Sequence, residues 1–205
     1  MTDQMPLCEA LIEARENEGY IGNCDFSGET LSALDLSYLE FESVNFSNCR
    51  FMECDFSHTT FKQTTFTSCD LSSCKFIGGY WQRVELQLSK AEGADFSTCG
   101  FRWTHLEKDL LPYTCWAETF WENCAINDCT MREAFLSEVK FKKTTLSNTD
   151  LTRAEFFRTP LKDMDLSSCV IDGITVSDTH AELRGVQVNP LQAVELVRLL
   201  GVKVV

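Results

Sequence analysis

The 205-residue sequence lacks the long apolar runs that mark membrane and secreted proteins. Its first four residues, Met1 to Gln4, contain no basic residue, and the apolar stretch from Leu7 to Ile12 is interrupted by Cys8 and Glu9. No stretch approaches the roughly 20 apolar residues that a membrane-spanning helix needs. We therefore expect a cytoplasmic protein that has no signal peptide and makes no contact with a membrane.

Histidine is scarce, and the sequence has no glycine-rich phosphate-binding loop. The only histidines are His58, His105 and His180. Because catalysis needs a nucleophile, a base and an orienting group in one cleft, we predict that the protein is not an enzyme and has neither catalytic residues nor a cofactor. A deep pocket around Cys115 and His105 would favour the opposite interpretation.

Cysteine is abundant, with eleven residues, but no Cys-x-x-Cys pair occurs. The recurring interval between cysteines is five residues, which does not fit a zinc site, so no metal site is predicted. Nine cysteines occupy a slot that otherwise holds mainly small residues, and we interpret them as small buried side chains. Cys8 and Cys115 lie outside this slot and are the predicted exposed thiols. The nine are Cys24, Cys49, Cys54, Cys69, Cys74, Cys99, Cys124, Cys129 and Cys169.

An unbroken five-residue period runs through most of the chain. Every fifth residue from Ile21 to Val176 is apolar, and each of the nine cysteines lies two residues before a member of this series. Neither a 3.6-residue helix nor a period-two strand keeps such a series on one side, so the pattern predicts a repeat array.

The repeating unit resembles that of the pentapeptide-repeat family, in which a small residue, Asp or Asn, Leu or Phe, and Ser or Thr precede a variable polar residue. Examples of this unit occur in the runs Asn23-Cys24-Asp25-Phe26-Ser27 and Ala94-Asp95-Phe96-Ser97-Thr98. The resemblance implies an all-β solenoid, a right-handed quadrilateral β-helix with four pentapeptides per coil and a short C-terminal α-helix. At twenty residues per coil, residues 21–180 predict about eight coils and a rod of about 40 Å.

Residues twenty apart would then stack in ladders, and the aromatic ones would form columns. One column holds Phe41, Phe61, Trp81, Phe101, Trp121 and Phe141, and another holds Phe56, Phe76, Phe96, Trp116, Leu136 and Phe156. Core packing is the simpler interpretation of these columns, and a cofactor-binding role is the alternative. We predict an N-terminal cap at 1–20, with Leu7, Leu11 and Ile12 on one side, and the β-helix at 21–188.

Residues 103–114 depart from the usual composition, because Asp109 takes an inward slot, Leu110 an outward one, and Pro112 follows. We predict that this segment leaves the coil as a loop, either a functional one or a passive bulge. Its candidate partner-binding residues are Trp103, His105, Glu107, Lys108, Asp109, Leu110, Leu111 and Tyr113.

The C-terminal residues 189–205 predict a helix and a tail. Asn189 suits the N-cap, Pro190 the first helical position and Gly201 the stop. A helix this short and apolar needs another apolar surface to pack against. We therefore expect that it either closes the end of the rod or forms a dimer. The candidate dimer-interface residues are Leu191, Val194, Val197 and Leu200.

The formal net charge is −13, which disfavours contact with nucleic acid and favours a basic partner. On the face centred on Leu36, Phe56 and the residues that follow at intervals of twenty, seven acidic residues in outward positions outnumber Lys75 and Arg158. The face centred on Phe41 and Phe61 carries an excess of basic residues. The seven acidic residues on the face centred on Leu36 and Phe56 are Asp35, Asp55, Asp95, Glu118, Glu138, Glu155 and Asp178.

The stretch from Leu183 to Gly201 is similar to the end of the Qnr-type quinolone-resistance, microcin-immunity and albicidin-resistance proteins. This resemblance implies a DNA-mimicking homodimer, joined through its C-terminal helices, that binds DNA gyrase or topoisomerase IV. The acidic residues would imitate phosphates, and the bound enzyme would be protected from an antibiotic or toxin poison. The alternative is a protein-interaction scaffold with a different partner.

Overall fold

The computed structural model describes residues 5–204, which form a β-solenoid with a helix at each end. Helix α1 (Leu7–Glu16) precedes the solenoid, and a 3-10 turn (Ala181–Leu183) and helix α2 (Pro190–Leu199) follow it. The strands are three residues long. They are β1 (Tyr20–Gly22), β2 (Asp25–Ser27), β3 (Thr30–Ser32), β4 (Glu40–Glu42), β5 (Asn45–Ser47), β6 (Arg50–Met52), β7 (Thr60–Lys62), β8 (Thr65–Thr67), β9 (Tyr80–Gln82), β10 (Glu85–Gln87), β11 (Gly100–Arg102), β12 (His105–Glu107), β13 (Phe120–Glu122), β14 (Ala125–Asn127), β15 (Lys140–Lys142) and β16 (Thr145–Ser147).

The solenoid has four faces, and the strand residues of each face pair in parallel with the residues twenty positions later. Face 1, centred on Ile21 and Phe41, is the sheet β1-β4-β7-β9-β11-β13-β15, and face 2, centred on Phe26 and Phe46, is the sheet β2-β5-β8-β10-β12-β14-β16. Face 3, centred on Leu31, holds the β3-β6 pair and continues as single bridges. Face 4, centred on Leu36, is built from single bridges alone among the described residues. The predicted quadrilateral β-helix is confirmed.

The ladders on faces 1 and 2 contain seven strands each, so six turns separate the first strand from the last. The predicted count of about eight coils was slightly too high for these ladders. Beyond β16 the chain keeps its register only through single bridges, such as Asp150 to Val170 and Glu155 to Thr175. The last residues thus follow the coil without forming regular strands.

The five-residue period arises because the central residue of each side points inward and the residue two positions later turns the corner. The corner residues adopt left-handed backbone conformations, as Asn23, Tyr38 and Trp103 do at φ of 54°, 59° and 50°. This conformation is readily accessible to Asn but strained for bulky residues. The repeated hydrogen bonds between coils hold them in it.

The interior is filled by the predicted aromatic columns. Phe76, Phe96 and Trp116 stack with ring centroids 4.8 and 4.2 Å apart, and Phe101 lies 4.1 Å from Trp121. All five rings are at most 1% exposed. Such contacts add to the stabilisation that burial of apolar area provides, and they leave no room for a cofactor between the rings.

The predicted burial of the slot cysteines is confirmed at eight of the nine positions, whereas the predicted exposure is confirmed for Cys8 and not for Cys115. Eight of the nine slot cysteines are buried, Cys24 is half-buried, Cys8 is exposed and Cys115 is half-buried. All eleven are free thiols. Burial raises the pKa of the Cys99 and Cys129 thiols to about 12, so they remain protonated and unreactive at neutral pH.

The predicted loop at 103–114 is wrong, because these residues continue the coil without a break. Strand β12 pairs with β10 and β14, and Leu110 bridges Lys90 and Thr130. The Asp109 carboxylate fits inside because it accepts hydrogen bonds from the backbone N–H groups of Ser89, at 2.8 Å, and Glu107, at 3.1 Å. Pro112 takes a turn position, where its fixed φ is favourable.

The two helices pack against the ends of the solenoid. In α1 the buried side consists of Leu7, Ala10, Leu11 and Ala14, whereas Ile12 is 63% exposed, so the prediction that Ile12 lies on the same side as Leu7 and Leu11 was wrong. At the other end Leu196 and Leu199 of α2 pack against the core. No helix in residues 5–204 has the length and apolarity to span a bilayer.

Candidate functional site

The seven acidic residues predicted to form one surface all lie on face 4. Asp35, Asp55, Asp95 and Glu155 share one column, in which Lys75, Cys115 and Phe135 occupy the intervening positions. Glu118, Glu138 and Asp178 are exposed in a second column, which turns the corner of the same face. Adjacent members of a column are separated by the inter-strand distance of about 4.8 Å. Face 4 is therefore a flat surface with a net negative charge.

Three of the aspartates on face 4 also stabilise their own turns. Asp35, Asp55 and Asp95 each accept a hydrogen bond at 2.9 Å from the backbone N–H of the serine two residues later. The hydrogen bonds from Ser37 lower the pKa of Asp35 below its usual value. These carboxylates are therefore local turn caps as well as surface charges.

Two basic residues form ion pairs with carboxylates of this surface. Arg15 lies 3.6 Å from Asp35, and Arg158 donates a 2.9 Å hydrogen bond to Glu138. Exposed ion pairs of this kind add little stability. Glu118 and Asp178 have no such partner within residues 5–204. The same holds for Asp55, Asp95 and Glu155, so carboxylates without an ion pair occur along the whole face.

Sequence reasoning missed three exposed aromatic residues on face 4. Tyr38 is 71% exposed and stacks on His58. The Phe135 side chain is 44% exposed and Phe157 is 40% exposed. Both occupy outward positions flanking the inward residues Leu136 and Phe156. The five-residue pattern itself identifies outward positions, so the signal available was an apolar residue where polar ones predominate. Exposed aromatic rings on a charged surface are typical of protein-binding surfaces.

The eight residues of the predicted loop do not form one site. Trp103 lies on face 1 beneath the Arg83 guanidinium, 5.3 Å from its ring centroid. His105, Glu107 and Lys108 belong to face 2, and Leu110 and Tyr113 to face 3. Asp109 and Leu111 are buried. A single partner-binding loop made from these residues is therefore excluded.

Helix α2 exposes part of its apolar surface. Leu191 is 82% exposed, Leu200 61% and Val197 36%, whereas Val194 is half-buried. The Asn189 side chain caps the helix, and the Asn189 backbone N–H donates to the Gln192 side chain in a capping box. Three of the four residues predicted for a dimer interface are thus on a well-formed helix and the fourth, Leu200, is its C-cap, and their role in dimerisation stays a prediction.

The structure has no catalytic cleft at the position considered from sequence. His105 and Cys115 lie on faces 2 and 4, on opposite sides of the solenoid. A surface groove of about 480 Å³ is lined in part by Asn48, Lys90 and Leu110 and includes neither residue. No group of three or more His, Cys, Asp or Glu side chains within residues 5–204 is arranged to hold a metal ion.

Four five-residue sides per coil, a twenty-residue register and a filled aromatic core define the class of four-sided β-solenoids. The family models agree, since "Pentapeptide repeat region" matches residues 20–96 and "Pentapeptide repeats (8 copies)" matches residues 122–158 and 134–173. Together these matches cover more than half of the chain. The chain belongs to the pentapeptide-repeat family.

Solved structures show where this fold occurs. A trypsin-treated variant of QnrB1, a plasmid-mediated fluoroquinolone resistance protein, is 24% identical with a TM-score of 0.62, over 88% of this chain and 90% of that one. Full-length QnrB1 is 16% identical over 90% and 100% of the two chains, with a TM-score of 0.44. HetL from the cyanobacterium Nostoc sp. strain PCC 7120 is 15% identical over 89% and 97%, with a TM-score of 0.30. Only the first of these supports a shared fold, and no curated protein sequence matches the chain.

Proposed function

We propose that this protein is a non-enzymatic DNA mimic that binds a type II topoisomerase, DNA gyrase or topoisomerase IV, through face 4. Binding would protect the enzyme from an antibiotic or toxin poison. The observation that carries this proposal is the column of carboxylates on face 4, repeated along a straight rod. A surface that binds the phosphates of DNA would be electrostatically complementary to such a face.

Two further points support the proposal. QnrB1, whose fold this chain shares, is described as a fluoroquinolone resistance protein. The C-terminal sequence from Leu183 to Gly201 resembles the same group of resistance proteins, which favours a tail-to-tail homodimer through α2. A dimer of this kind would place two copies of face 4 along one longer rod.

A supercoiling assay tests the proposal directly. Plasmid supercoiling by DNA gyrase is measured with increasing protein, with and without a quinolone and a non-quinolone poison. We expect the protein to restore supercoiling in the presence of one poison. No effect on either gyrase activity or poisoning would contradict gyrase protection, and the same assay with topoisomerase IV would then test the other candidate enzyme.

Matched variants connect the effect to face 4. The triple variant Asp55→Asn, Asp95→Asn and Glu118→Gln removes three charges, while Asn at the first two positions retains an oxygen to accept the turn hydrogen bond. We expect it to need at least tenfold more protein for the same protection. The control triple on face 2, Glu85→Gln, Asp128→Asn and Asp165→Asn, removes the same charge from the opposite side and should protect like the unmodified protein. An equal loss of protection in both triple variants would contradict a specific role of face 4.

A protein-interaction scaffold with a different partner is the second candidate function. It is favoured by the exposed rings of Phe135 and Phe157, since the phosphate backbone of DNA presents no such groups. Aromatic anchors of this kind bind in pockets of a partner protein. If Phe135→Ala with Phe157→Ala abolishes binding to a partner while the charge triple on face 4 does not, this second function is supported over DNA mimicry.

A further inference from the structure

Face 1 carries a positive patch on a protein whose overall charge is −13. Between residues 80 and 163 its outward positions hold six basic residues and only two acidic ones, Glu122 and Asp163. The whole chain, by contrast, has 18 basic and 31 acidic residues. We call these six residues the basic patch. They are Arg83, Arg102, Lys140, Lys142, Lys143 and Lys162.

Four of the six residues of the basic patch make no ion pair within residues 5–204, and one of these four, Arg83, instead contacts the Trp103 ring. Lys142 and Arg102 both pair with Glu122, at 2.5 and 3.3 Å. Lys140, Lys143 and Lys162 are exposed and make no ion pair to the part of the chain that the structure describes. Their charges are therefore available to an external anion, and their removal leaves no carboxylate without its partner.

Aromatic side chains lie among these charges. The Trp103 ring is 42% exposed and contacts Arg83, and the half-buried rings of Tyr80 and Phe120 lie in one outward column of face 1. The position between them in that column is Gly100, and a Cβ there would lie 3.4 Å from the Tyr80 ring. The glycine thus leaves the Tyr80 ring room to lie along the surface.

We propose that the basic patch with these rings binds single-stranded nucleic acid. Cationic grooves that track phosphates, combined with aromatic rings on which bases stack, are the usual means by which proteins bind single strands. A duplex would offer only its phosphates, because its bases are already stacked. The inference is independent of the proposed function, since it concerns a different face.

The overall negative charge does not prevent such binding at moderate salt. The Debye length is about 10 Å at 0.1 M ionic strength, so charges farther away across the solenoid are largely screened. Only face 3 lies across the solenoid from the basic patch; face 4 adjoins face 1 at a corner where Glu118 and Glu138 lie beside Lys140, and of these Glu138 is already paired with Arg158. An anionic strand on face 1 therefore experiences mainly the local positive charge.

Fluorescence anisotropy of labelled dT20 in 100 mM NaCl tests the proposal. We expect saturable binding that weakens with salt and is stronger for dT20 than for a 20-base-pair duplex. Lys140→Glu with Lys143→Glu should raise the Kd at least tenfold. The control pair on the opposite face 3, Arg132→Glu with Arg153→Glu, gives the same net charge and should change the Kd less than threefold. Circular dichroism confirms that both variants are folded.

Trp103 supplies a second readout, because the other three tryptophans, Trp81, Trp116 and Trp121, are at most 1% exposed. We expect dT20 to protect tryptophan fluorescence from quenching by acrylamide, and Trp103→Ala to raise the Kd by about 5- to 150-fold, as expected for loss of one stacked base. Absence of an anisotropy change at 100 µM protein would overturn the proposal. An equal rise in the Kd for the Lys140/Lys143 variant and the Arg132/Arg153 variant would also overturn it. Displacement of dT20 by polyglutamate at equal charge, without protection of Trp103, would overturn it in favour of an acidic protein partner.

Discussion

At the scale of single residues, the inward slot two positions before each central residue determines how the core accommodates polar groups. Trp116 and Trp121 donate their indole N–H groups to Thr114 and Thr119, the residues in this slot, at 2.7 and 3.0 Å. Trp81 is preceded by Gly79 in the same slot, and its indole N–H is buried without a partner. An unpaired buried donor costs about 1–3 kcal/mol. The slot residue thus decides whether a tryptophan can be buried without this cost.

Asp109 is the most sensitive occupant of this slot. Burial raises the pKa of its carboxyl to about 7, although two backbone N–H groups donate to it. Between about pH 4 and pH 7 the folded protein therefore keeps a proton that the unfolded chain has lost. The free energy of unfolding must consequently fall as the pH rises through this window.

The substitution Asp109→Ser should remove this pH dependence. A serine hydroxyl is suitable there because the Ser89 hydroxyl already accepts the backbone N–H of Cys69 one coil earlier. Between pH 4.5 and pH 8 we expect the free energy of unfolding to fall by roughly 3 kcal/mol more in the unmodified protein than in the variant. Urea denaturation at both pH values measures this difference. Parallel pH profiles of the two proteins would contradict an elevated Asp109 pKa.

The inward positions were predictable from sequence, whereas the behaviour of Asp109 was not. The five-residue period places every inward residue, because each side of the coil repeats the same backbone conformation. An acidic residue in an inward slot suggested a loop, because the local sequence does not reveal the backbone N–H groups that donate hydrogen bonds to it. One of them, the Ser89 N–H, belongs to a residue twenty positions earlier, and only the stacking of coils brings it within 2.8 Å.

At the scale of elements, the two helices differ in how they are attached. Helix α1 buries four small or medium apolar side chains, Leu7, Ala10, Leu11 and Ala14. In α2 the only buried side chain is that of Gln192, and apolar residues such as Leu191 remain exposed. Sequence patterns predicted α2 from its cap, but at α1 they assigned Ile12 to the wrong side. A short helix has too few apolar positions for its 3.6-residue period alone to determine which side packs against the solenoid.

The exposed residues of α2 allow a test of dimerisation. If α2 joins two copies, Leu191→Arg with Val197→Arg should convert a dimer to monomers, because two charges would be buried in an apolar interface. Sedimentation velocity measures the change in mass. Ile12→Arg, at a 63% exposed position of α1, is the control and should leave the dimer intact. A dimer that persists in the double variant would exclude α2 as the interface.

At the scale of the whole molecule, each coil contacts mainly its two neighbours. Strands on face 1 and face 2 pair only with strands twenty residues away. Stability in such arrays is approximately a sum of repeat and interface contributions. The chain can therefore lose one coil without a change in the rest, provided that the register of the faces is kept.

Deletions of different length separate the fold from the identity of the faces. Removal of residues 101–120 deletes one coil and keeps every later residue on its face, so we expect a folded protein that still protects the topoisomerase. Removal of residues 101–105 keeps the five-residue period but moves every later side by a quarter turn, which places Lys140 in the column of Asp95. Circular dichroism and the supercoiling assay should show two folded proteins, of which only the first protects. Equal protection by both would show that the faces are interchangeable.

The C-terminal contacts of Gln192 and Asn189 have a consequence for solubility. A stack of parallel coils ends in unpaired carbonyl groups, and such an open edge is a template on which further chains can add. The Gln192 amide donates to the carbonyls of Leu166 and Cys169, at 2.8 and 2.6 Å, and Asn189 donates to that of Ser167, at 2.8 Å. These two amide side chains occupy the acceptors on which another coil would grow, and they thereby act as a terminator against fibrous polymerisation of the rod.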